Sequence, residues 1–428
     1  MTSSAIVSLR ARRVWDSRGR PTVEVEVTLE SGAHGRAIAP AGASTGSGEA
    51  IDLRDGGARF GGLDVTHAVA HVAREIAPAL VGRDATDQAG VDAALLALDG
   101  TANKARLGGN AVVATSMAVL HAAAAHAGVP LWRHLAGDRP VRIPVPEIQI
   151  FGGGAHAARR VDIQDFMVIC PSAGSFAEAL DRTAGVYRCA GALLKERGLL
   201  QGVADEGGFW PAFESNEEAL DMLVRAIERA GFTPGEEVSI SLDVAASEFG
   251  RGGLYRLARD GRELDTGGMI DLLGGWLSRY PIVSIEDPLA EDDAEGFRAF
   301  TTAHGARAQV IGDDFLVTSA SRVTEAAARR DCTAVLVKPN QAGTVTETLA
   351  ALAAGKAAGF GTIVSARSGE TEDVTIVHLA VGWDSGQFKV GSITRGERTA
   401  KWNEMLRIEE LLGGKARYAG AAALAYAR

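Results

Sequence analysis

The sequence predicts an α/β protein in which an N-terminal α+β unit is followed by a (β/α)8-type barrel, and three observations carry that expectation. Val23, Val25, Val27 and Leu29 alternate with Glu24, Glu26 and Thr28, the two-residue period of a strand with one face in a core and one in water. Between residues 64 and 132 the apolar spacing turns helical. After about residue 140, short β-branched runs alternate with helical segments, the pattern of βα units around a parallel sheet.

Taken in order, Asp16–Pro21 (DSRGRP) is turn chemistry ahead of the alternating strand, so the chain opens with a hairpin. Val65, Val69, Val72, Ile76 and Leu80 recur every three or four residues and predict a helix. The most apolar stretch, Ala111–Trp132, is interrupted by Thr115, Ser116, His121, His126 and Pro130, which predicts a buried Ala-rich helix rather than a membrane span. This unit is expected to end near Asp138, dividing the chain into 1–138 and 139–428. Beyond it, VSISLDV, PIVSIED, QVIGDD, AVLVKPN, TIVSAR and QFKVGS read as strands. One intervening helix is marked at its start by the capping box Ser215-Asn-Glu-Glu218, followed by an amphipathic run, and at its stop by Gly231. Asp243, Glu286, Asp313, Lys338 and Lys389 end successive strand runs at intervals of one or two units of roughly 30 residues. Such repetition predicts a closed barrel with these polar groups converging at its C-terminal mouth, where barrel enzymes do their chemistry.

Composition narrows the function. The 428 residues are 46% hydrophobic and 23% charged, ordinary for a globular chain with a large core. A net charge of −10 without a basic run argues against nucleic acid or an anionic membrane as partner, and leaves a small anionic substrate open. Cys170, Cys189 and Cys332 form no C-x-x-C pair, so neither a disulfide framework nor a structural zinc site is expected. The start, MTSSAIVSLRARR, lacks the apolar core of a signal peptide, and a reducing cytoplasm is the expected setting. No G-x-x-x-x-G-K-[ST] occurs, nor a G-x-G-x-x-G opening a helix after a strand, which argues against nucleotide binding.

The strand-end residues suggest the chemistry. Asp243, Glu286 and Asp313 repel one another unless a cation sits among them, and hard oxygen donors without His or Cys favour Mg2+; the plainer alternative is that each caps a helix or pairs with a surface cation. Lys338, in a barrel mouth beside a divalent cation, is expected to have a lowered pKa suited to a general base, or else to form an ion pair with a barrel carboxylate. Lys389 is placed to hold a substrate carboxylate. Arg367-Ser368-Gly369 after a strand offers a phosphate clamp of Arg fork, hydroxyl and backbone N–H. FGGGAH (Phe151–His156) and ADEGGF (Ala204–Phe209) form a second, weaker constellation.

With DSRGRPTVEVEV, PAGASTG, ADEGGF, SLDVAASEF, SIEDPLAEDD, GDDFLVT, KPNQAGTVTETL, RSGETED and AKWNEMLRIEELL in this order, nearly the whole chain resembles the enolase family. The resemblance implies an N-terminal α+β domain capping an atypical β/α barrel, in a homodimer. It implies that Asp243, Glu286 and Asp313 hold a tightly bound Mg2+ and that Ser44 is the loop ligand of a second ion that comes with substrate. By the same resemblance Lys338 removes the C2 proton of 2-phosphoglycerate, Glu206 assists departure of the C3 hydroxyl, and His156 lies near the substrate. Arg367 and Ser368 then hold the phosphate and Lys389 the carboxylate.

The departures from the family pattern are local. VSHRSGET appears as VSARSGET, putting Ala366 in place of a histidine that contacts substrate. QEFM appears as QDFM, so Asp165, on the leaving-group side, is shorter by a methylene. GFAP appears as GFWP, expected to bring Trp210 close to Glu206; Pro339 follows the base, and Ala41, Gly152 and Ala204 are further changes. His378, at a position usually acidic in the family, is expected on a helix surface without a role. Because the changes gather around the leaving hydroxyl while base, clamp and metal ligands stay, the resemblance favours a specialised relative. An example is the carboxyphosphonoenolpyruvate synthase of phosphonate antibiotic biosynthesis, with a phosphate or phosphonate substrate. The alternatives are an ordinary phosphopyruvate hydratase and a catalytically retired scaffold.

Overall fold

The computed structural model describes residues 3–427. Strand β1 (Ile6–Trp15) turns through Asp16–Arg20 into antiparallel β2 (Pro21–Leu29), whose far edge pairs with β3 (His34–Ile38). The Asp16 carboxylate organises that turn by accepting the backbone N–H groups of Arg18 and Arg20, both at 2.9 Å. Val23, Val25 and Val27 are fully buried, as the alternation predicts. Glu24, expected in water, is also buried, because Arg12 on β1 and Arg36 on β3 flank it as ion-pair partners.

The helical spacing of Val65–Leu80 becomes a run from Thr66 to Leu80, with a π turn at Val72–Ile76. The apolar stretch becomes the helix Gly109–His126, buried along most of its length against β2 and β3. No helix among the described residues is long and apolar enough to cross a membrane. Helix and sheet meet at Gly35, where any Cβ would overlap the backbone of Ala118 and Ala122.

The second half closes a barrel from β4 (Val145–Gly152), β5 (Asp165–Ile169), β6 (Ser239–Asp243), β10 (Ile282–Glu286), β11 (Gln309–Gly312), β12 (Ala334–Val337), β13 (Gly361–Ser365) and β14 (Gly386–Gly391). A small outlying sheet, β7 (Gly250–Arg251), β8 (Leu254–Leu257) and β9 (Arg262–Asp265), interrupts the sequence order after β6. The six strands read from the sequence are all barrel strands; β4 and β5 were not foreseen. Nor is the sheet wholly parallel, for β5 runs antiparallel to both β4 and β6. The segment between β4 and β5 carries only the short 3-10 turn Gly154–Ala157 instead of a crossover helix, so the chain can only return antiparallel. Two helices, Phe176–Glu196 and Asn216–Arg229, then follow in succession, and from β10 onward each barrel strand is followed by helix. Ser215 caps the second helix by accepting the N–H of Glu218, although the Glu218 carboxylate reaches the N–H of Glu214 rather than completing the box. Cys170, Cys189 and Cys332 are free thiols.

Candidate active site

The strand-end residues do converge at the C-terminal mouth. Asp243 and Glu286 are the last residues of β6 and β10, Asp313 and Lys338 immediately follow β11 and β12, and Lys389 lies within β14. All five are buried. Lys389 Nζ donates to Asp243 Oδ2 at 2.8 Å and Glu286 Oε2 at 2.7 Å, and lies 3.8 Å from Asp165 Oδ2. Lys338 Nζ donates to Asp313. The three carboxylates are thus tied to ammonium groups in the mouth rather than to a surface cation or a helix N-terminus. Lys389, expected to hold a substrate carboxylate, already lies between two protein carboxylates.

Burial and the neighbouring Asp243 push the Glu286 carboxyl well above its ordinary range, and its Oε1 is buried without a hydrogen-bond partner. Burial raises Asp313 too, but Lys338 outweighs it and holds the carboxyl below its usual value. For Lys338 the expected lowering is not found. Burial does disfavour the ammonium, yet Asp313 overrides it and raises the pKa. Carboxylate oxygens close enough to share an ion also gather at Asp287, Asp313 and Asp314. Asp287, however, is occupied in the fold, accepting the backbone N–H groups of Asp313 and Asp314 at 2.8 Å each.

The leaving-group side is a second buried cluster of His156, Asp165 and Glu206. His156 Nδ1 lies 2.9 Å from Asp165 Oδ1 and its Nε2 3.9 Å from Glu206 Oε1. Burial works against a charge on this imidazole, but Asp165 and Glu206 outweigh it and push the pKa up to about 9. Glu206 moves upward as well, driven by burial. The same Asp165 Oδ1 accepts from the Gln149 amide, whose oxygen accepts the Gly208 N–H at 2.7 Å. Trp210 lies beneath the Arg160 guanidinium, 4.7 Å from its ring centre, and against Gly202. Ala366 is buried at 5% exposure.

The phosphate-clamp candidates lie where the N-terminal unit meets the mouth. Arg367 Nη1 donates to Glu49 at 2.9 Å and to Asn340 at 3.0 Å, and its Nη2 to the Ser44 carbonyl at 3.0 Å. Ser368 Oγ accepts from Arg18 at 3.4 Å, and Arg18 also donates to the carbonyls of Ala41 and Gly42. Glu49, Arg18, Gln149, Gln164 and Arg398 escaped the sequence reading. Glu49 and Arg18 stand inside or beside segments already singled out, DSRGRP and PAGASTG, whereas nothing local marks Gln149 or Arg398. Gln164 donates to Asp243 Oδ2 at 3.1 Å. Arg398 is fully buried and donates to the carbonyls of Arg367, Val390 and Ser368. His378, expected on a surface, is buried at 9% exposure because it packs edge-on against His121 of the N-terminal unit, with ring centres 6.5 Å apart.

Such a barrel, with acids, lysines and an arginine at its mouth and a loop of a preceding α+β unit beside it, has the layout of a β/α-barrel enzyme. The family model for the enolase N-terminal domain matches residues 6–135, and that for the enolase C-terminal TIM barrel domain matches residues 140–427. "Enolase 1" of Desulfitobacterium hafniense (strain Y51) is 48% identical over 421 residues, 98% of this chain and 96% of the relative. The chain belongs to the enolase family, and it is an enolase-type lyase.

Proposed function

We propose that the chain is a phosphopyruvate hydratase, converting 2-phosphoglycerate to phosphoenolpyruvate in the cytoplasm as a homodimer, with its two domains divided near residue 138. The observation that carries this reading is the 48% identity to "Enolase 1" across both domains. It reverses the order suggested by the departures around Ala366, since the specialised synthase has no comparable support.

In this reading Asp243, Glu286 and Asp313 hold the tight Mg2+, with Ser44 available to a second ion. Hard oxygen donors, the unpartnered Glu286 Oε1 and a carboxyl displaced by burial and a neighbouring charge all fit a divalent cation. When bound, Mg2+ would supply positive charge to offset what builds on the substrate carboxylate as the C2 proton leaves. Lys338 takes that proton. Its ammonium is favoured chiefly by Asp313 and next by Glu286, so a cation held by both carboxylates would leave burial and Arg367 to favour the neutral amine. Glu206, kept toward its acid form by burial, gives a proton to the departing C3 hydroxyl. His156 and Asp165 orient this side, Arg367 and Ser368 hold the phosphate, and Lys389 the carboxylate.

The test adds purified protein to 2-phosphoglycerate and Mg2+ and follows phosphoenolpyruvate by ultraviolet absorbance and 31P NMR. Turnover within about 1–10³ s⁻¹ is expected, and Lys338→Ala abolishes it. Activity surviving that substitution would overturn the assignment of the base. Product formed only when phosphonoformate or its activated nucleotide ester is added would restore the specialised synthase, and Mg2+ binding without any turnover would indicate a scaffold.

A further inference from the structure

Ser44 and Arg367 come from opposite ends of the chain, and a buried carboxylate joins them. Glu49 is 7% exposed. Its Oε2 accepts Arg367 Nη1 at 2.9 Å, while its Oε1 accepts the Gly46 N–H of its own loop at 3.0 Å, Arg367 Nη2 at 3.3 Å and the Gln341 amide at 3.3 Å. The same Gln341 amide donates to Asp313 Oδ1 at 3.0 Å. Arg367 returns the contact to the loop through the Ser44 carbonyl, and Gly42 lies so close to the guanidinium that any Cβ would overlap it. Loop, clamp and the Asp313–Lys338 pair therefore meet on one side chain.

We infer that Glu49 is a positioning residue that locks the 41–49 loop onto Arg367, so that Ser44 and the phosphate clamp reach the mouth as one unit. The inference rests on Arg367 being the phosphate clamp of the proposed function. The physical reason is burial. Removing one partner of a buried, hydrogen-bonded ion pair strands the other charge, which is far more disruptive than losing an exposed pair. The loop has an exposed fastening as well, Ser47 to Glu291 at 2.8 and 3.0 Å, and it contributes little by the same argument. Glu49 acts through Arg367 and the loop.

The experiment compares the full-length protein with Glu49→Gln, Glu49→Ala and Glu291→Ala, by hydrogen-exchange mass spectrometry over residues 41–50 and by steady-state kinetics with 2-phosphoglycerate. Glu49→Gln keeps the size of the side chain and an acceptor for Gly46, and loses only the charge, so it remains informative if Glu49→Ala fails to fold. The expected result is exchange confined to 41–50 and the Arg367 turn that is about tenfold faster, with KM raised about tenfold and kcat changed far less. Inorganic phosphate, added alone, increases protection at 41–50 more in the wild type than in Glu49→Gln. Glu291→Ala leaves exchange and KM near wild type. Wild-type exchange and KM in Glu49→Gln would overturn the lock, as would a loss of kcat at unchanged KM with exchange quickened throughout the chain, the mark of a merely structural role. Should the wild type fail to turn over 2-phosphoglycerate, the proposed function fails, and the exchange measurements still decide the lock.

Discussion

His156 stands between Asp165 and Glu206 at 7% exposure, and its ordinary pKa of 6.5 is pushed up to about 9 although burial alone would lower it. A folded-state value above the unfolded one means that the charged imidazole stabilises the fold fully below pH 6.5, and that this contribution disappears as pH rises through about 9. The wild type is therefore expected to lose stability relative to His156→Gln between those limits, which urea unfolding of both proteins at a series of pH values measures. A difference that grows with pH would show that the imidazole is neutral in the fold. Asp165 belongs to the same balance: its shorter side chain is met by His156 and Gln149 at Oδ1, while Oδ2 is buried without a hydrogen-bond partner, 3.8 Å from Lys389 Nζ.

Within an element, β4 carries a residue that the strand pattern does not explain. Glu147 points into the barrel with no exposed surface; Ser241 donates to its Oε2 at 2.6 Å, and its Oε1 has no partner. Burial raises its pKa. Since the folded-state pKa lies above the unfolded one, the fold weakens as pH rises past the ordinary carboxylate range and the unfolded chain releases its proton first. Glu147→Gln is expected to raise the melting temperature at pH 8 and to lose that advantage as pH falls toward about 4, where the unfolded carboxyl is itself protonated. Calorimetry across that range checks it, and a variant destabilised at pH 8 would mean that the carboxylate does necessary electrostatic work beneath Lys389, its register partner on β14.

Across the whole molecule, the mouth is assembled by contacts between distant parts of the chain. Arg18 and Glu49 approach from the N-terminal unit, and Arg398, from the last long helix, grips the carbonyls of the clamp turn. The N-terminal unit presents those residues correctly only if its helix is seated on its sheet, which Gly35 permits. Gly35→Ala forces the helix Gly109–His126 outward and is expected to destabilise by about 1–3 kcal/mol, the usual penalty of overpacking. Denaturant unfolding measures the loss, and a variant as stable as the wild type would show that helix and sheet can separate without harm. His121 and His378 meet across the boundary of the two units, so part of this assembly is a pair of imidazoles, His378 buried and His121 half-buried.

The sequence by itself determined which residues stand at the ends of strands. Period-two and helical spacing are local properties, and with the interval between Asp243, Glu286, Asp313, Lys338 and Lys389 they suffice for a barrel and a polar mouth. What a side chain at that mouth touches is not local. Whether Lys338 stood as a neutral base or paired with a barrel carboxylate was open until the fold set Asp313 against it, and His378 appeared superficial until a helix of the other unit covered it. The antiparallel course of β5 depended on the absence of a crossover helix, and Glu49 drew Gln341 and Arg367 from more than 290 positions away. Charge, burial and hydrogen bonding fall off over a few ångströms in space, not along the chain, and so only the tertiary structure could decide which charges meet.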